Sequence, residues 1–115
     1  MKIVRMAHVN VRVPNLETAI PFYRDLLVLD MIERKDTSGK GAWFRLGDAE
    51  VHLTEDPALQ PPSKRHFACY VDGLAEMKMR LRLANLAVEQ DEGWRFFVRD
   101  PAGNRVELVD MRRQP

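Results

Sequence analysis

The run Arg105-Val106-Glu107-Leu108-Val109 lies near the C-terminus, and the rest of the chain is organised around it. Its alternation predicts a strand that carries the Glu107 carboxylate at its centre, with Val106 and Leu108 on the opposite face. A carboxylate in this setting is costly to desolvate, so it requires a cation or a metal ion as partner.

All three histidines of the chain lie on other strand-like runs that could supply such partners. They are His8 in Met6–Val11, His52 in Glu50–Leu53 and His66 in His66–Tyr70. A lone histidine on a strand is more often a surface or hydrogen-bonded residue than a ligand. Three imidazoles and one carboxylate in equivalent settings nevertheless form a set of potential metal ligands.

Length and composition narrow the class of protein. The 115 residues predict one domain, 1–115, and the net charge of +1 without a basic stripe argues against nucleic-acid binding. No apolar run approaches the roughly 20 residues of a membrane span. The single cysteine, Cys69, and the absence of a secretory signal fit a cytoplasmic protein. We therefore expect a small-molecule partner, with neither nucleic acid nor membrane.

The first half of the chain predicts the element order strand, helix, strand, strand, strand. The strand that begins at His8 places His8, Asn10 and Arg12 on one face. The following helix begins at Asn15 or Thr18, and a cap at Asn15 would place Pro21 inside the helix and bend it there. Later strands are predicted at 29–34, 43–46 and 50–53.

The second half repeats this order after a proline-rich linker. Module one spans 1–56, the linker 57–64 and module two 65–112. We expect Asp72 to cap a helix that runs to about Asn85. A weak strand at 87–90 and a strong one at 94–99 follow, and Pro and Gly in the segment 100–104 predict a tight turn into the Glu107 strand.

The four candidate ligands lie at equivalent positions of the two modules. His66 follows His8 by 58 residues and Glu107 follows His52 by 55, so first strands correspond to first strands and last strands to last. A pseudo-two-fold arrangement of the modules would bring these positions together.

The sequence resembles the vicinal oxygen chelate superfamily, which contains glyoxalases, bleomycin-resistance proteins and extradiol dioxygenases. The resemblance covers essentially the whole chain, and the matching stretches are His8–Val11, Ala19–Leu27, Trp43–Gly47, Glu50–Leu53, His66 and Phe97–Leu108. The resemblance implies an α+β fold in which two βαβββ modules, in pseudo-two-fold repeat, form a sheet-lined cleft. It also implies a homodimer, and a divalent metal on residues like His8, His52, His66 and Glu107.

Two departures from the family pattern bear on the function. His52 replaces the Glu that members with glyoxalase I activity usually carry, and Val28 replaces the glycine that frequently ends the first helix. His8, His66 and Glu107 match the two-His-one-carboxylate triad of the family's iron dioxygenases, which leaves His52 as a fourth ligand or an acid–base group.

The resemblance implies a metal-dependent enzyme, a lyase, isomerase or dioxygenase, acting on a substrate that chelates the metal through two adjacent oxygens. The ligand set suits Zn, Fe, Ni or Mn. Two alternatives remain open: a metal-free drug-binding protein of the bleomycin-resistance type, and a thiol transferase of the fosfomycin-resistance type.

Residues on the same strand faces as the candidate ligands are further candidates for the site. Glu107, His52, Glu50 and Tyr70 are the candidates for catalysis, and Asn10, Arg12, Phe97 and Arg105 are those for substrate binding. Ordinary roles at a solvated rim are an equally good interpretation of Glu50, Tyr70, Asn10, Arg12 and Arg105. Cys69 is opposite to His66 in parity, so we expect a core thiol there, not a nucleophile.

Overall fold

The computed structural model describes residues 1–35, 38–58, 60, 61 and 63–115. They form two compact units, Met1–Gln60 and Pro61–Pro115. Residues 59 and 62 of the predicted linker 57–64 lie outside the described residues. In the part of the chain that is described, no helix is long and apolar enough to cross a membrane.

The first unit is a four-stranded mixed sheet with one helical segment. Its elements are β1 (His8–Val13), α1 (Leu16–Pro21), a π-helical turn (Phe22–Leu26), β2 (Asp30–Ile32), β3 (Gly41–Leu46) and β4 (Ala49–Glu55). The strand order is β1-β4-β3-β2, with β1 parallel to β4 and the other pairs antiparallel.

Asn15 caps the first helix, which decides between the two predicted starts. Its side-chain oxygen accepts a hydrogen bond from the Thr18 amide at 3.3 Å. Pro21 therefore lies inside the helix, where it has no amide hydrogen to donate. The helix changes from α to π geometry directly after Pro21, as expected where one interior hydrogen bond is lost.

The second unit is a three-stranded sheet with one longer helix. Its elements are β5 (His66–Val71), α2 (Leu74–Leu83), β6 (Arg95–Arg99), β7 (Arg105–Asp110) and a final 3₁₀ turn (Met111–Arg113). The strand order is β5-β7-β6, with β5 parallel to β7 and β6 antiparallel to it.

Two local predictions for the second unit are wrong. Gly73, not Asp72, is the N-cap of α2; its φ of 85° is a left-handed conformation that glycine adopts without a steric penalty. The weak strand predicted at 87–90 is reduced to one isolated bridge between Glu89 and Phe97. Module two therefore keeps the order of module one with its second strand nearly lost.

Strand register gives the repeat its structural form. Asn10 pairs with His52 in the first sheet, and Ala68 pairs with Glu107 in the second. In each unit, a histidine thus lies two residues before the partner of the last-strand ligand candidate. The order and pairing of these strands confirm the α+β class and the repeat of two βαβββ modules.

The core of the second unit lies on the sheet face opposite to Glu107. Its buried members are Phe96, Val98, Val106 and Leu108, each at most 2% exposed. Burial of these side chains fixes the register, because a shift by one residue would exchange the two faces. The face that carries His66 and Glu107 is thereby held outward from this core.

Candidate functional site

His66 and Glu107 form a direct contact on the second sheet. The Nε2 atom of His66 lies 3.1 Å from Oε1 of Glu107, and Nδ1 lies 2.9 Å from the Lys64 carbonyl oxygen. A carbonyl can only accept, so Nδ1 carries a proton, and a neutral imidazole then presents a bare lone pair at Nε2. A lone pair that faces a carboxylate requires a proton or a metal cation between them.

The donor atoms of this pair therefore fit a divalent metal. Nitrogen and carboxylate ligands bind such ions at about 2.0–2.2 Å, so neighbouring ligand atoms lie roughly 3 Å apart. The backbone carbonyl that holds Nδ1 is the kind of partner that orients a metal-binding histidine. His66 and Glu107 thus place two potential metal ligands side by side in a fixed orientation.

Glu107 has a second ionic partner in Arg95. The Nη1 atom of Arg95 lies 3.4 Å from Oε2 of Glu107, and its Nη2 lies 3.1 Å from Glu92. Arg95 was not among the residues predicted from sequence. The alternation of β6 could have identified it, because Arg95 lies on the same strand face as Phe97, and Phe97 pairs in register with Glu107.

In the first sheet, His52 lies between two aromatic rings. The His8 ring stacks on one side at 4.0 Å between centroids, and the Trp43 ring stacks on the other at 3.9 Å and 1°. His52 is only 7% exposed, whereas His8 is exposed. Stacking fixes the plane of the His52 ring, and the role of Trp43 in doing so was missed from sequence.

Glu50 engages His52 directly. The Nε2 atom of His52 lies 2.8 Å from Oε1 of Glu50, and Arg45 lies 3.9 Å from the other carboxylate oxygen. The hydrogen bond to His52 holds the pKa of the Glu50 carboxyl below its ordinary value. With Nε2 occupied by Glu50, the ring nitrogen left for a metal or a substrate proton is Nδ1.

The remaining predicted residues of the first unit are held by neighbours on the same sheet. Asn10 donates to the Thr54 hydroxyl at 2.8 Å. Arg12 forms an ion pair with Asp56, just beyond the end of β4. Both residues are exposed, so each remains open to solvent on its outer side.

The remaining predicted residues of the second unit surround Glu107. Phe97 is 2% exposed; its ring is perpendicular to the His66 ring with 5.1 Å between centroids, and the Arg105 guanidinium carbon lies 3.6 Å from its centroid. Tyr70 is exposed and pairs in register with Val109. Phe97 is thus a support beneath charged groups more than a surface open to a ligand.

A cavity of about 320 Å³ adjoins Glu107 within the second unit. It is lined by Ala68, Cys69, Tyr70, Trp94, Glu107, Val109 and Arg113. Burial raises the pKa of the Cys69 thiol to about 12, which agrees with the expected inert thiol.

The four candidate ligands are brought together as two pairs, one in each unit: His8 with His52, and His66 with Glu107. No group of three or more His, Cys, Asp or Glu side chains placed to hold a metal occurs among the described residues. The two pairs correspond to each other through the repeat, because His8 is equivalent to His66 and His52 is equivalent to Glu107.

Comparison with known proteins gives the same family over residues 5–108. The model of the Glyoxalase/Bleomycin resistance protein/Dioxygenase superfamily matches residues 5–108. None of the curated proteins matches the sequence.

Three solved structures illustrate the similarity. A glyoxalase family protein from Bacillus anthracis is 30% identical, with a TM-score of 0.85 over 96% of this chain and 97% of that one. A lactoylglutathione lyase from Agrobacterium tumefaciens is 23% identical, with a TM-score of 0.76 over 96% of each chain. The fosfomycin resistance protein FosX from Listeria monocytogenes is 18% identical, with a TM-score of 0.82 over 94% and 91%.

The last two similarities are below 25% identity and concern the fold alone. A variant of the Listeria protein is complexed with Mn(II) and 1S,2S-dihydroxypropylphosphonic acid. The family model covers residues 5–108, and the chain belongs to the Glyoxalase/Bleomycin resistance protein/Dioxygenase superfamily.

Proposed function

We propose that this protein is a metal-dependent enzyme that acts on a small substrate with two adjacent oxygens. The metal is held by His66 and Glu107 together with His8, from one chain or from two chains of a dimer. His52, which the sequence also offers as a fourth ligand, carries a proton during the reaction.

The observation that carries the proposal is the orientation of His66. One nitrogen of the ring is held by the Lys64 carbonyl, and the other faces a carboxylate oxygen at 3.1 Å. This arrangement is unfavourable for a neutral imidazole alone and favourable when a cation lies between the two groups.

A divalent ion bound there would supply the positive charge that stabilises negative charge on the oxygens of a chelated substrate. Glu50 accepts a hydrogen bond from Nε2 of His52 and thereby leaves Nδ1 to take a proton from the substrate. Trp43 and His8 keep the ring in one plane while that proton is transferred. Arg95 holds the second oxygen of Glu107, so the carboxylate keeps its orientation.

Metal uptake tests this proposal. Untagged protein should take up about one divalent transition metal per chain when the apo form is loaded and desalted. Glu107→Gln should weaken metal binding at least about tenfold, because an amide is a poor metal ligand and does not neutralise the positive charge of the metal ion. Glu92→Gln is the matched control, since Glu92 also contacts Arg95 but does not contact His66.

An apo form that takes up no metal would contradict the enzyme proposal. That result would favour the metal-free, bleomycin-resistance-like alternative. Metal uptake together with transfer of a thiol to an epoxide substrate would instead favour the thiol transferase alternative.

A homodimer is part of the proposal. β1 and β5 are edge strands of their sheets, and each carries a histidine that we assign to the metal. Edge strands present unpaired backbone groups that a second chain can cover. Light scattering that gives only the 13.3 kDa monomer at micromolar concentration would contradict this assembly.

A further inference from the structure

Arg105 stands out on the sheet face that carries His66 and Glu107. It pairs in register with His66 across β5 and β7 and lies two residues before Glu107 on the same strand. Its guanidinium carbon lies 3.6 Å from the centroid of the Phe97 ring, and the Phe97 side chain is itself buried. The cation–π contact holds the guanidinium in place beside the candidate ligands.

The charge of Arg105 has no counter-ion among the residues that the structure describes. None of them forms an ion pair or a hydrogen bond with its side chain, and its Nε atom is buried without an acceptor. A buried donor without an acceptor destabilises the folded chain, so such a group in a native protein calls for an explanation.

The neighbouring arginines differ from Arg105 in having counter-ions, although the Nε atom of Arg95 is also buried without an acceptor. Arg95 pairs with Glu92 and Glu107. Arg99 pairs with Glu89 at 3.4 Å and donates to the Gly103 carbonyl oxygen at 2.8 Å. Three arginines thus lie on one face, and Arg105 alone among them has no ion-pair partner in the described part of the chain.

The repeat shows that this charge belongs to one unit only. The position equivalent to Arg105 in the first sheet is Glu50, which pairs in register with His8 as Arg105 pairs with His66. Glu50 is engaged by His52 and Arg45. The first unit thus has a paired anion at the position where the second has a cation with no ionic partner among the described residues.

We infer that Arg105 binds an anionic group of the ligand, a carboxylate or a phosphoryl group, next to the His66–Glu107 pair. A guanidinium presents its N–H groups as a fork that matches two oxygens of such an anion. Glu107 does not repel the anion strongly, because His66 and Arg95 already engage both of its oxygens.

The anionic group defines the substrate class of the proposed enzyme. Anion binding at Arg105 does not depend on that function, but calling the ligand a substrate does. Arg105 and Glu107 lie two residues apart, which is about 7 Å along a strand. A ligand that reaches both is therefore a short anion whose charged group lies a few bonds from its chelating oxygens.

Anion binding to the metal-free protein tests the inference directly. We would titrate the apo protein, labelled with ¹⁵N at arginine, with inorganic phosphate and separately with acetate, and follow the Nε–H resonances. The Arg105 resonance is assigned by its loss in Arg105→Lys. We expect it to shift with a saturable dependence on phosphate, on acetate or on both, and the stronger anion identifies the chemical group.

Arg105→Gln should weaken that binding at least about tenfold, as expected for loss of a charge-assisted pair of hydrogen bonds. Arg24→Gln is the matched control, because it removes one exposed charge in the other unit and should leave binding unchanged. An Arg105 resonance of the folded wild type that neither anion moves would overturn the inference. Equal anion affinity in Arg105→Gln and wild type would overturn it as well.

The experiments can reject either proposal without rejecting the other. Anion binding at Arg105 without metal uptake would reject the metal enzyme and leave the anion site standing. Metal uptake without anion binding would keep the enzyme and reject the anionic substrate.

Discussion

The Nε2 atom of His66 lies 3.1 Å from Oε1 of Glu107, although 41 residues separate the two in the chain. Parallel pairing of β5 with β7 makes this contact, because it places Glu107 beside Ala68, two residues beyond His66. The Lys64 carbonyl then selects which ring nitrogen faces the carboxylate. One backbone atom and one strand pairing thus orient both ligand candidates of the second unit.

The role of His52 can be separated from that of Glu107 by substitution. His52→Ala should keep most of the metal affinity and lose at least about a hundredfold in turnover, the typical effect of removing a general base. Its Nε2 is already bound to Glu50, so a ligand role would have to use Nδ1. Metal affinity would be measured by competition with a chromogenic chelator.

Glu50→Gln is the companion variant for this prediction. It should lower turnover without changing metal affinity, since the amide can still accept the hydrogen bond from His52 but carries no charge. A loss of metal affinity in His52→Ala as large as that in Glu107→Gln would instead show four ligands.

The end of the first helical segment contains a strained residue. Val28 has φ 59° and is 60% exposed. A β-branched side chain thus occupies the left-handed region, and its burial offsets little of the strain. Relief of this strain outweighs the added flexibility of glycine. Val28→Gly should raise the free energy of unfolding by about 1 kcal/mol and Tm by roughly 4 °C, measured by calorimetry.

Asn85 supplies the matched control for Val28. It has φ 64° and is exposed, but asparagine tolerates this conformation through local hydrogen bonding. Asn85→Gly should therefore change Tm by much less than Val28→Gly. Equal gains from both substitutions would refute strain at Val28 as the cause.

The turn before β7 depends on a buried aspartate. Asp100 is 4% exposed, and its carboxylate accepts from the amides of Ala102 and Asn104 at 2.9 and 2.8 Å. Asp100→Ala leaves these donors unpaired and should lower the free energy of unfolding by about 2–4 kcal/mol. Urea denaturation measures the loss.

The exposed turn residue Asp48 offers a control for Asp100. Asp48→Ala should change stability by no more than about 0.5 kcal/mol. A comparable loss in both variants would argue against the hydrogen bonds of Asp100 as the source of stability.

The Cys69 thiol should be inert in the folded protein. Burial raises its pKa to about 12, so only about one thiol in ten thousand is ionised at pH 8. An unperturbed cysteine, with a pKa of about 8.5, would be roughly a quarter ionised at that pH. Alkylation by iodoacetamide at pH 8 should be more than a hundredfold slower in native than in urea-unfolded protein.

The same shift has a consequence for stability at alkaline pH. Because the folded pKa is raised, the unfolded state loses its proton first, and stability falls as the pH rises from about 9 toward 12. Cys69→Ala should have a shallower alkaline decline than wild type. A rapid alkylation of the native thiol would contradict both expectations.

Much of the fold follows from local pattern. Alternation along β1, β4, β5 and β7 assigned each candidate ligand to a sheet face, and the spacing of the histidines revealed the repeat. Gly103, with φ 90°, closes the turn that Pro and Gly predicted. The sequence did not show that Asp100 would hold this turn by accepting from two amides, since that depends on how the turn closes.

Contacts between distant residues were decided by tertiary structure. Parity states which face a side chain occupies, but strand order and register decide which side chain lies beside it. Alternation in the sequence alone placed His52, Glu107 and Arg105 on the strand faces opposite to their apolar neighbours. Only the folded sheets decided that Trp43 stacks on His52, that His66 faces Glu107, and that Arg105 lies on Phe97 with no counter-ion among the described residues, because those neighbours come from other strands.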